Sequence, residues 1–267
     1  MECLPIRAEG LGPLVTLLKA APNLHRLRIS PIRPGPICAL DNLSDEVLQK
    51  IKVKVLDFYP SEDNMLDEDG MGPAIQTLAK LFQQLEEFNF YPRFDYIDDY
   101  PQTVFSPADV ILSLSSVSTT LKRIEIDTSD DSMPTDHTNL GPALATLTNL
   151  VTLSMDAQCF CHHEPDPESI TQDHDVSCIT SILPTTVKYP SIKLRKGRKS
   201  INDIVELGPQ VAAGKFSNLN RVDVVHGNYT RFSVEISDVE RRLILAAFSN
   251  SQTNAYFRYM GNHTPRE

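Results

Sequence analysis

The sequence predicts an α/β fold, an irregular solenoid of about eight helix–strand units with parallel strands along a concave inner face. Three observations predict it. The pattern apolar-x-x-apolar-x-apolar starts at residues 24, 53, 85, 121, 150, 189, 219 and 255, so it recurs every 29–39 residues. The intervals between copies carry apolar residues at helical spacing. Finally, a unit of one helix and one short strand has no means of burying its own apolar face, whereas stacked units bury one another.

The elements follow in order. Leu14, Leu17 and Leu18 predict a first helix, and Leu24-His25-Arg26-Leu27-Arg28-Ile29 a first strand. Two apolar residues two apart, with polar ones between, make a half-buried strand, and the apolar residue three earlier anchors the chain as it enters. Ser44-Asp45-Glu46-Val47 reads as a helix start, with a capping hydroxyl and early acids, before the strand Val53 to Phe58. Ile75, Leu78, Leu81 and Phe82 give the helix before Leu85 to Phe90. Ser106-Pro107-Ala108-Asp109 opens the next helix, carried on by Val110, Ile111 and Leu114, and Leu121 to Ile126 follows. The fifth strand is Leu150 to Met155, with a long loop expected at about 156–177. Ile179, Ile182 and Leu183 precede Tyr189 to Leu194, and Ile204, Val205 and Leu207 precede Leu219 to Val224. Asp238 to Leu243 opens the last helix, before Ala255 to Met260. Asn stands before the first Leu in three copies, at Asn23, Asn149 and Asn218. Residues 1–11 form a short N-terminal segment, and 12–267 one repeat domain.

Composition narrows the function classes. With 41% hydrophobic and 22% charged residues the chain is an ordinary globular one, so wholesale disorder is not expected. The net charge of -10 argues against non-specific nucleic-acid binding, which needs a basic face. No apolar run is long enough to span a bilayer. Glu2, Arg7 and Glu9 interrupt the first residues, so no secretory signal is read there. The 5 cysteines are odd in number and irregularly spaced, which reads as reduced thiols in a cytoplasmic or nuclear protein.

The strands Leu24 to Ile29, Leu121 to Ile126 and Leu150 to Met155, each behind a helix, resemble leucine-rich repeats. Their irregular intervals and the preceding Asn-Leu resemble the divergent repeat region of fungal F-box-type proteins. The closing helix Val239 to Ala247, followed by Phe257 and Tyr259, is similar to how those chains often end. The resemblance covers residues 12 to 260; the F-box itself, an N-terminal helical module that recruits a ubiquitin-ligase adaptor, is not seen. The resemblance implies substrate selection for an F-box-type ubiquitin ligase, with the F-box missing or truncated. The alternative is a stand-alone scaffold or regulator without a ubiquitin link.

Several constellations are candidates for function. Within the strands, the residues between the apolar pairs line the concave face: Arg26, Arg28, Glu87, Asn89, Arg123, Glu125, Arg221 and Asp223. That lining is polar and mixed in sign, which suits a protein or peptide better than a small apolar ligand. The loops after three strands are acidic. Asp95, Asp98 and Asp99, with Asp127, Asp130 and Asp131, are expected to form an acidic rim for a basic partner. Tyr91, Phe94, Tyr96 and Tyr100 lie in or beside it, as binding anchors or as loop packing. Cys161, His163, His174 and Cys178 have the ligand chemistry of a tetrahedral zinc site, and a zinc module or metal-dependent enzyme is the rival from another class. Their spacing matches no standard ligand pair, so the polar-loop reading is preferred. Glycine-rich phosphate loops, nucleophile elbows and His-Glu-x-x-His motifs do not occur in the sequence. The expectation is therefore a non-enzymatic, monomeric protein with a protein partner, without cofactor, nucleic acid or membrane.

Overall fold

In a strand, alternate side chains point to opposite faces, so each copy of the repeat sends its two apolar residues one way and the residues between them the other. The computed structural model describes residues 5–6, 12–21, 23–29, 51–60, 71–92, 106–127, 139–160, 178–194, 201–228 and 233–260. The chain divides into two units, Met1–Pro134 with Thr146–Asn149, and Thr135–Ala145 with Leu150–Glu267. Both are α/β, with helices alternating with parallel strands.

The first unit holds the strands β1 (Pro5–Ile6), β2 (Arg26–Ile29), β3 (Val55–Phe58), β4 (Glu87–Phe90) and β5 (Arg123–Ile126). They pair in parallel in chain order, the arrangement that repeated helical crossovers produce. Leu27, Leu56, Phe88 and Ile124 are register partners and buried; so are Ile29, Phe58, Phe90 and Ile126 one step along. Phe58 and Phe90 meet across the strands with ring centres 6.0 Å apart. The anchors Val53, Leu85 and Leu121 are buried as well.

The helices of this unit are α1 (Gly12–Ala20), α2 (Met71–Leu81) and α3 (Pro107–Ser113). Ile75, Leu78 and Phe82, and then Val110, Ile111 and Leu114, are buried beneath them as their spacing predicts. α3 starts where the sequence places it. Ser106 Oγ accepts from the Asp109 backbone N–H at 3.2 Å, and Asp109 Oδ2 accepts from the Ser106 N–H at 3.0 Å. This reciprocal cap satisfies two donors that a helix start leaves open.

The second unit holds α4 (Leu140–Ala145), β6 (Thr152–Asp156), α5 (Cys178–Ile182), β7 (Tyr189–Lys193), α6 (Ile201–Ala212), β8 (Arg221–Asn228), β9 (Ser233–Val234), α7 (Asp238–Phe248) and β10 (Asn254–Met260). β6, β7, β8 and β10 pair in parallel, while β9 runs antiparallel to β8. Met155, Ile192, Val224 and Phe257 form one register row on the helix side. α7 begins at Asp238, where the sequence places it, and is capped by Ser237 and Glu240. α6 and α7 approach closely at Gly208, where a Cβ would stand 2.6 Å from the Ala247 carbonyl carbon.

Three short elements were not predicted. β1 lies in the N-terminal segment, α4 has only Leu140, Ala143 and Leu144 buried, and β9 is two residues long. The expected loop at 156–177 also begins inside the core, since Ala157, Cys159 and Phe160 are buried around a tight 3₁₀ turn.

The Asn before the first Leu has a structural role. Asn149 Nδ2 donates to the Thr119 carbonyl at 2.5 Å, and Asn218 Nδ2 to the Thr185 carbonyl at 3.0 Å. Each amide reaches back by about one repeat and satisfies a turn carbonyl. In the last copy Thr253 Oγ1 does the same for the buried Leu219 carbonyl.

Candidate functional site

The strand face away from the helices carries the predicted polar residues, and register fixes who meets whom. In the first unit one row runs Arg26, Val55, Glu87, Arg123, and the next runs Arg28, Asp57, Asn89, Glu125. Asp57 is the hub. Its Oδ2 accepts from Arg26 Nε at 2.8 Å, and its Oδ1 from Arg26 Nη2 at 3.0 Å and from Asn89 Nδ2 at 2.7 Å. The Asp57 side chain is 5% exposed and that of Arg26 50%. The carboxylate is thus buried beneath the guanidinium that it orients. Arg123 Nη2 reaches Glu125 Oε2 at 3.1 Å on the same strand. Among the described residues, the buried Asn89 Oδ1 and Arg123 Nε have no hydrogen-bond partner.

Beyond these rows the face turns aromatic. Tyr59 and Tyr91 stack with ring centres 4.9 Å apart, and the Arg28 guanidinium lies 4.2 Å from the Tyr59 ring centre. At the other strand ends, Glu86 stands between Lys54 at 2.7 Å and Lys122 at 2.8 Å. The hydrogen bond from Lys122, then that from Lys54, holds the Glu86 carboxyl down at about 2 against an ordinary 4.5.

The second unit repeats the device. Asp223 Oδ1 accepts from Arg221 Nε at 2.6 Å and its Oδ2 from Arg258 Nη2 at 3.0 Å. The Arg221 guanidinium lies 4.2 Å from the ring centre of Tyr256, which is the register partner of Asp223. Asp156 and Lys193 are register partners on β6 and β7, and both are buried.

All eight residues predicted for the face are on it. The structure brings Arg26 to Asn89 through Asp57, Arg123 to Glu125, and Arg221 to Asp223, while Glu87 lies between Val55 and Arg123 in register. Tyr59, Tyr256 and Arg258 join it unpredicted. The alternation in Ala255-Tyr256-Phe257-Arg258 was the available signal, since that copy obeys the same period as the others. Of the acidic rim, Asp127 is half-buried and its backbone N–H donates to the Phe90 carbonyl at 2.9 Å. Asp95, Asp98, Asp99, Asp130 and Asp131 lie outside the described residues. So do Cys161, His163 and His174 of the metal candidate, whereas Cys178 opens α5. Among the described residues, no three His, Cys, Asp or Glu side chains are grouped to hold a metal, and no helix is long and apolar enough to cross a membrane. No protein-family model matches the chain, and no curated protein sequence matches it.

Proposed function

We propose that this protein is a non-enzymatic recognition module whose polar strand faces bind another protein. The observation that carries the reading is the fixed grid of exposed guanidinium groups on buried carboxylates, which recurs in both units at Asp57 and Asp223. Side chains held in place before contact lose little entropy on binding, and that favours specific recognition. The resemblance to leucine-rich repeats supports a solenoid with such a face. By the same resemblance, its setting is substrate selection in an F-box-type ubiquitin ligase in the cytoplasm or nucleus; a stand-alone scaffold is the second reading.

The test is affinity purification of the tagged chain from its native cells, with wild type beside Arg26→Gln/Arg221→Gln. A partner recovered stoichiometrically by wild type and lost with the variant is the expected result. Cullin and adaptor subunits among the recovered proteins would favour the ligase setting, and their absence the scaffold. A partner captured equally by both chains would refute recognition through these faces.

A further inference from the structure

A net charge of -10 points to a basic partner, but the charge of a whole chain does not decide what a partner touches. At contact distance the exposed atoms decide, because charges farther off than a Debye length of about 8–10 Å are largely screened. On the strand face of the second unit, burial separates the two signs. The Asp223 side chain is 10% exposed, those of Arg221 and Arg258 35% and 56%.

Both Asp223 oxygens are already engaged, one by each arginine. Arg221 spends its Nε on that carboxylate and Arg258 one terminal nitrogen, out of five N–H donors on each guanidinium. The rest of each planar fork is left for the solvent side. Tyr256, 45% exposed, holds the Arg221 plane from one side. Ser191 completes the row as the other register partner of Asp223, and its hydroxyl is a further donor. The surface offered is cationic and pre-oriented, with its carboxylate buried beneath.

We infer that the strand face of the second unit takes an acidic peptide segment, with Asp or Glu carboxylates of the partner seated on the outward edges of Arg221 and Arg258. Paired N–H donors in a fixed plane match the two oxygens of a carboxylate. Two arginines on a chain of net charge -10 do not suit a nucleic acid, which gains its affinity by having many phosphates neutralised together. This inference rests on the protein-recognition reading and adds the chemistry of the partner.

The full chain is titrated, by fluorescence anisotropy, into three labelled probes: an alternating Ala–Glu peptide, an Ala–Lys peptide of equal length, and oligothymidylate of equal charge to the acidic peptide. The acidic peptide is expected to bind best. Arg258→Gln should weaken it about tenfold, the worth of one charge-assisted hydrogen bond. Arg258→Lys should fall between, keeping the charge but not the fork. Arg242→Gln removes the same charge from an exposed position on α7, off the strand face, and should change affinity less than about twofold. Preference for the Lys peptide, equal binding of oligothymidylate, equal effects of Arg242→Gln and Arg258→Gln, or no binding of the acidic peptide would each overturn the inference. The recognition reading is judged separately by capture of the native partner: a partner lost with Arg26→Gln/Arg221→Gln while the acidic peptide fails to bind leaves that reading standing and removes only this one.

Discussion

Asp57 offers the sharpest test of the face's construction. Asp57→Ala removes the acceptor of three hydrogen bonds, two from Arg26 and one from Asn89. The Arg26 side chain is half exposed and regains water, so its two bonds count for about 1 kcal/mol. Asn89 is buried and no water replaces its partner, so its orphaned amide costs about 1–3 kcal/mol. Removing a buried carboxylate also relieves its desolvation, which places the sum toward the lower end, at about 2 kcal/mol. Urea unfolding followed by far-ultraviolet circular dichroism would read this as a midpoint lower by about 1 M. Replacing both members of a buried hydrogen bond by apolar groups is nearly neutral. Asp57→Ala/Asn89→Leu should therefore be more stable than Asp57→Ala by about 1 kcal/mol. A loss below about 0.5 kcal/mol for the single variant, or a double variant no more stable than the single, would refute the hub.

Other predictions test the frame around it. Because its folded value is depressed to about 2, Glu86 contributes stability that is full above its ordinary 4.5 and is lost as pH falls through about 2. Both lysines are exposed, so that contribution is about 1 kcal/mol; wild type minus Glu86→Gln stability, measured against pH in low salt, should shrink across that window. Gly208→Ala would raise helix propensity by about 1 kcal/mol, yet its Cβ meets the Ala247 backbone, so a net loss of about 1–3 kcal/mol is expected in calorimetry, and a gain would contradict the close approach of α6 and α7. Asn218→Ala should cost about 0.5–1.5 kcal/mol by removing the bond to the Thr185 carbonyl, whereas Asn218→Asp, which has no donor, should restore none of it.

What the sequence determined by itself is the local grammar. Period-two alternation put Leu27, Phe88 and Ile124 in the core and Arg26, Asn89 and Glu125 on the other face, because a strand allows no third choice. Helical spacing over Ile75 to Phe82 and the cap at Ser106 located their helices for the same reason: neighbours a few residues apart settle them. Short elements such as α4, β1 and β9 span too few residues to show a period and form through their packing and pairing. The site's charge pattern was legible only as a list of residues. Asp57 meets Arg26 and Asn89 from strands 31 and 32 residues away, and Asp223 meets Arg258 across β8 and β10. Those meetings depend on strand register and on which long side chains cover a carboxylate, and both arise only when the sheet assembles. Tertiary structure therefore decided that Asp57 lies beneath Arg26, and Asp223 beneath Arg221 and Arg258.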